Sequence, residues 1–503
     1  MTQSDLFMQG SPFGREIHAS DDGAHVKDNI ALIVKTKAAT VYDFYYIENM
    51  NSIKTGRIMA VLFAGVLLGA MDIAIVGPAM PLIKAQFAVN DRDLSWIFTM
   101  YVLFNLVGTP LMARLSDLVG RKAVYATSVV AFALGSAGVA LSGSFAFMLG
   151  ARALQGFAAG GFMPVASAVI GDVYPADKRG RALGLIGMVF GLAFIVGPIL
   201  GGVILPLGWR WLFWINVPLA ALIGIGALAF LPGRVPGRKA NFDLAGMAIL
   251  APMLAAFAFG INHAEASNFL GSLISWRSGF LVLFAFALAW PLVVVERRAI
   301  MPVVPLKLLS SRRLVVASLV AVAGGIAEAS LVYVPQLAVA ALGVSPASAS
   351  FLMLPLVGAM TVGAPLSGRL LDKAGPSLVI GSGGAIMAVG MLGLGLSGSS
   401  MLLFIAGQVL VGIGLSAMLG APIRFVFLED SRPEDRSAAQ ALVNLESSTG
   451  MLFGGAIIGA VAFSAGGGAS GIHSAYLVLA VLSIIIAFIS PLLAPLSARR
   501  KEA

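Results

Sequence analysis

Apolar stretches of about twenty residues, separated by short charged or Gly/Pro/Ser-rich breaks, recur from Met59 almost to the C-terminus. Each is long enough to cross roughly 30 Å of hydrocarbon as a helix. The pattern predicts spans at about 58–83, 94–113, 123–142, 145–170, 182–205, 211–231, 242–262, 279–296, 314–340, 347–368, 377–397, 401–425, 438–463 and 474–496. Strands of a membrane barrel would alternate apolar and polar residues, and these segments do not. The expected fold is an all-α membrane protein with fourteen transmembrane helices. Residues 1–55 break the pattern. They are polar and mixed in charge, and no apolar core resembling a signal peptide occurs in them, so a disordered cytoplasmic tail is expected.

Basic residues orient the spans. With the N-terminus inside, Lys84, Arg92, Arg210 and Arg277 fall on the outer side, and the inner loops hold the great majority of the rest, so both termini are expected in the cytoplasm. The net charge of +9 therefore reflects topology, and no nucleic-acid partner is expected.

The segment Pro110–Gly120 recurs as Pro365–Gly375, with six of eleven positions identical at an offset of 255. Near that offset Asp72 falls on Glu328, Arg152 on Gln408 and Gly156 on Gly412. Two homologous six-helix bundles follow, at 56–233 and 313–497, with a linker at 234–312 that carries two additional spans and a short cytoplasmic tail at 498–503. Parallel halves of this kind place a substrate site between them near the middle of the membrane.

Composition narrows the chemistry. Of the 503 residues 58% are hydrophobic and 11% charged, and cysteine is absent, which excludes disulfides, thiolate metal sites and cysteine nucleophiles. No lysine follows a glycine, so the phosphate-cradling loop of an ATP-driven pump is missing. The four histidines do not pair at metal-ligand spacing, no nucleophile–base pair can be built, and no enzyme activity is expected. The Gly-x-Gly-x-x-Gly match at Gly393, Gly395 and Gly398 ends an apolar span with no strand before it and reads as helix packing.

A carboxylate inside a span costs at least about 2.5 kcal/mol, so it is kept neutral, paired or hydrated. Asp72, Glu328 and Glu446 are such residues, and Arg152 is a lone cation in the fourth span. A carboxyl whose exposure alternates between two sides can gain and lose a proton, as a proton-coupled exchanger requires. The alternative for each is a buried hydrogen bond to a neighbouring helix.

Ala113 to Lys122, Arg152-Ala153-Leu154-Gln155-Gly156, the glycines Gly187, Gly191, Gly197, Gly201 and Gly202 with Pro198, and the stretch Trp209–Pro218 together resemble the major facilitator superfamily, specifically its fourteen-helix drug:proton antiporter branch (QacA/EmrB-like). The resemblance implies roles in transport and proton transfer for Asp72 and Arg152; Glu328 and Glu446 join them as proton-coupling or substrate-binding candidates on the cost of burying an acid, Glu446 standing where related exporters often carry a basic residue. The resemblance also implies a cytoplasmic latch of Asp117 and Arg121 with Arg369 and Asp372 in the second half, and a gating role for the glycine-rich fifth span. It further implies export of lipophilic, cationic drugs or toxic organic compounds, or of one dedicated metabolite, across the inner membrane. The driving force would be the proton motive force, with no cofactor. The partners implied are the organic substrate, protons and the bilayer, with the chain a monomer that could engage an accessory periplasmic protein.

Overall fold

The computed structural model describes residues 23–494 except 175, 234–243, 266–270, 273–274, 277, 300–301 and 433–434. The tail expected at 498–503, the first 22 residues and the start of the linker lie outside the described residues. By internal contacts the chain divides into Met1–Arg57 and Ile58–Ala503. The first unit is helical from Gly23, where α1 (Gly23–Phe87) begins. No glycine or proline interrupts Ala24–Thr55, so nothing in its backbone opposes a helix.

Within the second unit, the first half contains α2 (Asp91–Val119), α3 (Arg121–Ala140), α4 (Phe145–Ala159), α5 (Phe162–Val173), α6 (Ala176–Ile204), α7 (Arg210–Trp214) and α8 (Asn216–Phe230), after the C-terminal part of α1. Two linker helices follow, α9 (Leu244–Asn262) and α10 (Ser278–Arg298). The second half holds α11 (Arg312–Ala329), α12 (Val334–Leu342), α13 (Pro346–Phe351), α14 (Leu354–Gly395), α15 (Met401–Leu419), α16 (Ala421–Glu429), α17 (Arg436–Ser464) and α18 (Gly468–Ile489). Among the described residues, twelve helical runs are long and apolar enough to cross a membrane. One of them, Pro346–Gly395, is 50 residues long. It is broken inside α14 by Gly375, which has φ 75°.

Gly375 has a counterpart. Gly120, its partner in the sequence repeat, separates α2 from α3 with φ 114°. A positive φ suits glycine because no Cβ clashes with the backbone. The repeat thus conserves a tight reversal of the chain at the same motif position in each half.

Helix starts follow capping chemistry. Asn90 Oδ1 accepts the Asp93 backbone N–H at 2.8 Å, and Ser144, Ser311 and Ser400 cap α4, α11 and α15 in the same way. Apolar tails of lipid resemble leucine, so helix association in a bilayer relies on close packing of small residues. The segment after Gly375 packs on α15 in this manner: a Cβ on Gly383 would lie 3.1 Å from the Gly414 carbonyl oxygen, and one on Gly390 2.8 Å from that of Gly407. Of the Gly393/Gly395/Gly398 trio, the first two face neighbouring helices, and Gly398 sits in a turn at φ 53°. Phe98, Tyr101, Tyr125, Phe132, Phe162 and Phe213 fill the interior of the first half.

Candidate transport site

Asp72 on α1 and Arg152 on α4 are both fully buried and form an ion pair through Asp72 Oδ2 and Arg152 Nη1. The other carboxylate oxygen of Asp72 accepts hydrogen bonds from Asn216 Nδ2 at 2.9 Å and Gln155 Nε2 at 3.1 Å. Arg152 donates from Nη1 to Gln155 Oε1 at 2.9 Å and from Nε to the Ile97 carbonyl at 3.1 Å. Ser136 Oγ accepts from Gln155 at 2.6 Å and closes the network from α3. The guanidinium lies 4.4 Å from the centre of the Tyr101 ring, and the Tyr101 hydroxyl donates to the Gly69 carbonyl at 2.9 Å. One carboxylate ties together three helices of the first half, α1, α4 and α8, and Ser136 and the Ile97 carbonyl add α3 and α2 to the network. Such a pair withstands burial because further hydrogen bonds offset the desolvation of both ions.

The related positions of the second half are arranged differently. Glu328, the repeat partner of Asp72, is partly exposed, and the charge acting on it is Arg424 on α16. Arg424 also donates to Asn444 Oδ1 at 2.8 Å and to Gln440 Oε1 at 3.3 Å, both on α17. Gln408, the repeat partner of Arg152, is buried with neither amide atom hydrogen-bonded. Glu446 on α17 faces a separate cavity of about 390 Å³ whose walls are mostly apolar side chains of α11, with Leu482 of α18. Its Oε2 is buried without a hydrogen-bond partner, and Ser318 is its polar neighbour. The structure therefore brings Asp72 and Arg152 together and joins neither Glu328 nor Glu446 to them.

The expected cytoplasmic latch has an ordered half and an open half. Arg121 pairs with Asp117, and its Nε lies 3.3 Å from Asp172 Oδ2 at the end of α5. Arg369 and Asp372 are exposed and enter no salt bridge among the described residues. In the second half, Arg313 pairs with Glu429 and Asp430, both at 2.7 Å. Among the described residues, the ion pairs at this end of the molecule stay within one half.

At the opposite end the halves are joined. Asp91, 4% exposed, accepts from Lys84 Nζ at 2.6 Å, from Gln336 Nε2 on α12 at 2.7 Å and from the Gly468 backbone N–H at 2.9 Å. Ser350 Oγ donates to the Pro198 carbonyl at 2.7 Å. A Cβ on Gly201 would collide with Ser350 and Pro78, one on Gly202 with the Phe351 ring, and one on Gly197 with Ala74. Gly191, by contrast, has open space around it, so close approach of another helix is confined to the C-terminal glycines of α6. The surroundings of Gly187 lie outside the described residues.

Several of these residues were missed in the sequence. Gln155 and Asn216 stand inside motif stretches, yet their roles depend on where α4 and α8 meet α1. Arg424 reads as a loop cation at the end of a span, and Asp91 as an ordinary helix-start acid. No local signal marks either as a partner of a residue far away in the chain.

Two repeat-related helical halves, sealed against each other at one end and holding buried charge within the membrane-spanning part, define a carrier. The chain belongs to the Major Facilitator Superfamily, whose family pattern matches residues 62–261 and 316–503. It is 30% identical over 417 residues to the multidrug transporter protein MdtP of Bacillus subtilis, covering 81% of this chain and 74% of that one. It is also 30% identical to the MFS-type transporter YfiU of the same organism, over 77% of this chain and 76% of the relative. The inward-facing, occupied structure of a bacterial homologue of the human lysosomal transporter Spinster superposes with a TM-score of 0.61 at 17% identity, covering 87% of this chain and 96% of that one. The protein is a multi-pass membrane transporter, not an enzyme.

Proposed function

We propose that the protein is a secondary active exporter of the fourteen-helix type, exchanging protons for lipophilic, cationic organic compounds by alternating access. The observation that carries this reading is Glu446, a carboxylate with an unpartnered buried oxygen on an apolar cavity. A buried acid in such surroundings is balanced by a proton or by an organic cation whose apolar body fits the walls, and the two compete for one place. The pairing of Asp72 with Arg152 gives that half a fixed frame, leaving Glu446 and Glu328 as the acids free to exchange. The kinship to a multidrug transporter supports the substrate class.

In this reading the 50-residue run counts as two crossings divided at Gly375 and the 29-residue helix α6 as one more, beside the other eleven apolar runs among the described residues. With both termini in the cytoplasm, as the basic loops favour, the Asp91 end faces outward and the joined state is inward-facing. The proton motive force supplies the energy, no cofactor is used, and the chain acts as a monomer in the inner membrane.

The test is substrate-driven proton movement in proteoliposomes, with lipophilic cations, neutral drugs and single metabolites as substrates. Cations should collapse an imposed pH gradient, and Glu446→Gln should abolish the effect while the protein still reconstitutes. Response to one metabolite and no cation would replace the multidrug reading, and a pH gradient indifferent to every substrate would remove proton coupling.

A further inference from the structure

The linker helix α9 does more than connect the halves. Asn262, at the C-terminal end of α9 and 1% exposed, touches both halves at once. Its Oδ1 accepts from Trp96 Nε1 at 3.0 Å, and its Nδ2 donates to Ser95 Oγ at 3.0 Å, both on α2 of the first half. The same Nδ2 reaches the Ala456 carbonyl on α17 of the second half at 3.5 Å, and a Cβ on Gly459 of α17 would lie 3.2 Å from it. Aromatic contacts repeat the arrangement: Phe259 packs on Trp96 with ring centres 4.0 Å apart, and Phe257 on Phe453 of α17 at 4.5 Å.

These contacts sit on the closed seam. The first turns of α2 lie directly against α17, where Ser95 and Phe98 face Gly459 and Gly455, and Asp91 at the helix start bonds to Gly468 just beyond α17. When the outer ends of the halves separate, α2 must leave α17, and one amide cannot keep its bonds to both. The side chain is also buried, so any bond lost would leave a polar group unpaired until water reached it.

We infer that the linker helix α9 is a clamp across the outer seam, with Asn262 as its positioning residue, and that it biases the transport cycle toward the outward-closed state. The inference rests on alternation between the halves and on the orientation assigned above, and is independent of the substrate or the coupling ion.

The chain has no native cysteine, which allows a site-specific test. Spin labels at Ala85→Cys on the first half and Ser470→Cys on the second report the separation of the outer ends by pulsed dipolar spectroscopy in nanodiscs. Asn262→Ala should raise the long-distance, outward-open population relative to the short one by about tenfold, the loss expected for two hydrogen bonds in a membrane interior. Trp96→Phe keeps the aromatic contact, removes one donor, and should give an intermediate shift. Unchanged distance distributions in folded, monodisperse Asn262→Ala and Trp96→Phe proteins would overturn the clamp, even if both had lost thermal stability. Because the readout needs no substrate, it also stands apart from failure of the export reading.

Discussion

Asp72 and Arg152 form a unit in which neither charge is dispensable alone. Breaking a buried pair by removing one member costs about 3–5 kcal/mol because the other is left uncompensated. Asp72→Asn and Arg152→Met are therefore each expected to lower thermal stability, Asp72→Asn the more, because it leaves a guanidinium that stays charged and sets an amide N–H₂ against the donors Asn216 and Gln155, whereas an unpaired Asp72 can take up a proton. A double variant, Asp72→Asn with Arg152→Met, should recover part of the loss, as read from unfolding temperatures in detergent. Glu446 is placed to show the opposite balance. Its Oε2 has no partner, so Glu446→Gln should leave unfolding within about 1 kcal/mol of wild type while eliminating substrate-driven proton movement. If Glu446→Gln transported normally, the acid would have only a packing role.

Among the elements, α6 divides its labour along its length. Its C-terminal glycines meet residues of α1 and α13 with no space for a side chain, whereas Gly191 faces open space. Gly201→Val is expected to hold the halves apart at the Asp91 end and to cut transport at least about tenfold, because a collision with a Ser350 that is itself hydrogen-bonded can be relieved only by moving a helix. Gly191→Ala should be nearly silent in the same transport assay and gain a little helix stability, about 0.5–1 kcal/mol. Gly120 and Gly375 illustrate a different element-scale rule. Each reverses the chain between two helices at a positive φ, so alanine at either position should destabilise the folded protein by roughly 1–2 kcal/mol.

For the whole molecule, the distribution of polar contacts defines which end is sealed. Asp91 gathers a lysine, an amide and a backbone N–H from three separate segments, and charge-assisted bonds of this kind are about twice as strong as neutral ones. At the Arg121 end the ion pairs among the described residues stay inside one half, so none of these has to break for that end to move. Asp91→Asn should loosen the seal. Ser350 is fully buried at the seam, and in a Ser350→Cys background the only thiol should react with a membrane-impermeant maleimide about tenfold faster when Asp91→Asn is added. Equal labelling rates would show that the glycine contacts of α6, not Asp91, hold the seam.

Much of this protein was legible in one dimension. The hydrophobic lengths announced an all-helical membrane protein, because a bilayer admits little else, although twelve apolar runs, not fourteen, are long enough to cross it among the described residues; the repeat at offset 255 aligned Gly120 with Gly375, and the structure showed that both carry a positive φ. Buried acids stood out because their cost in a span makes them conspicuous. What the sequence could not distinguish was Asp72 from Glu328, which occupy equivalent places in the repeat yet end in unlike surroundings. One is enclosed by Arg152, Gln155 and Asn216; the other is partly exposed near Arg424. The seam at Asp91 and the junction at Asn262 were equally hidden. Hydropathy and spacing report what a residue costs to bury along its own helix, whereas pairing across hundreds of residues depends on how separate helices meet, and that was decided only by the tertiary structure.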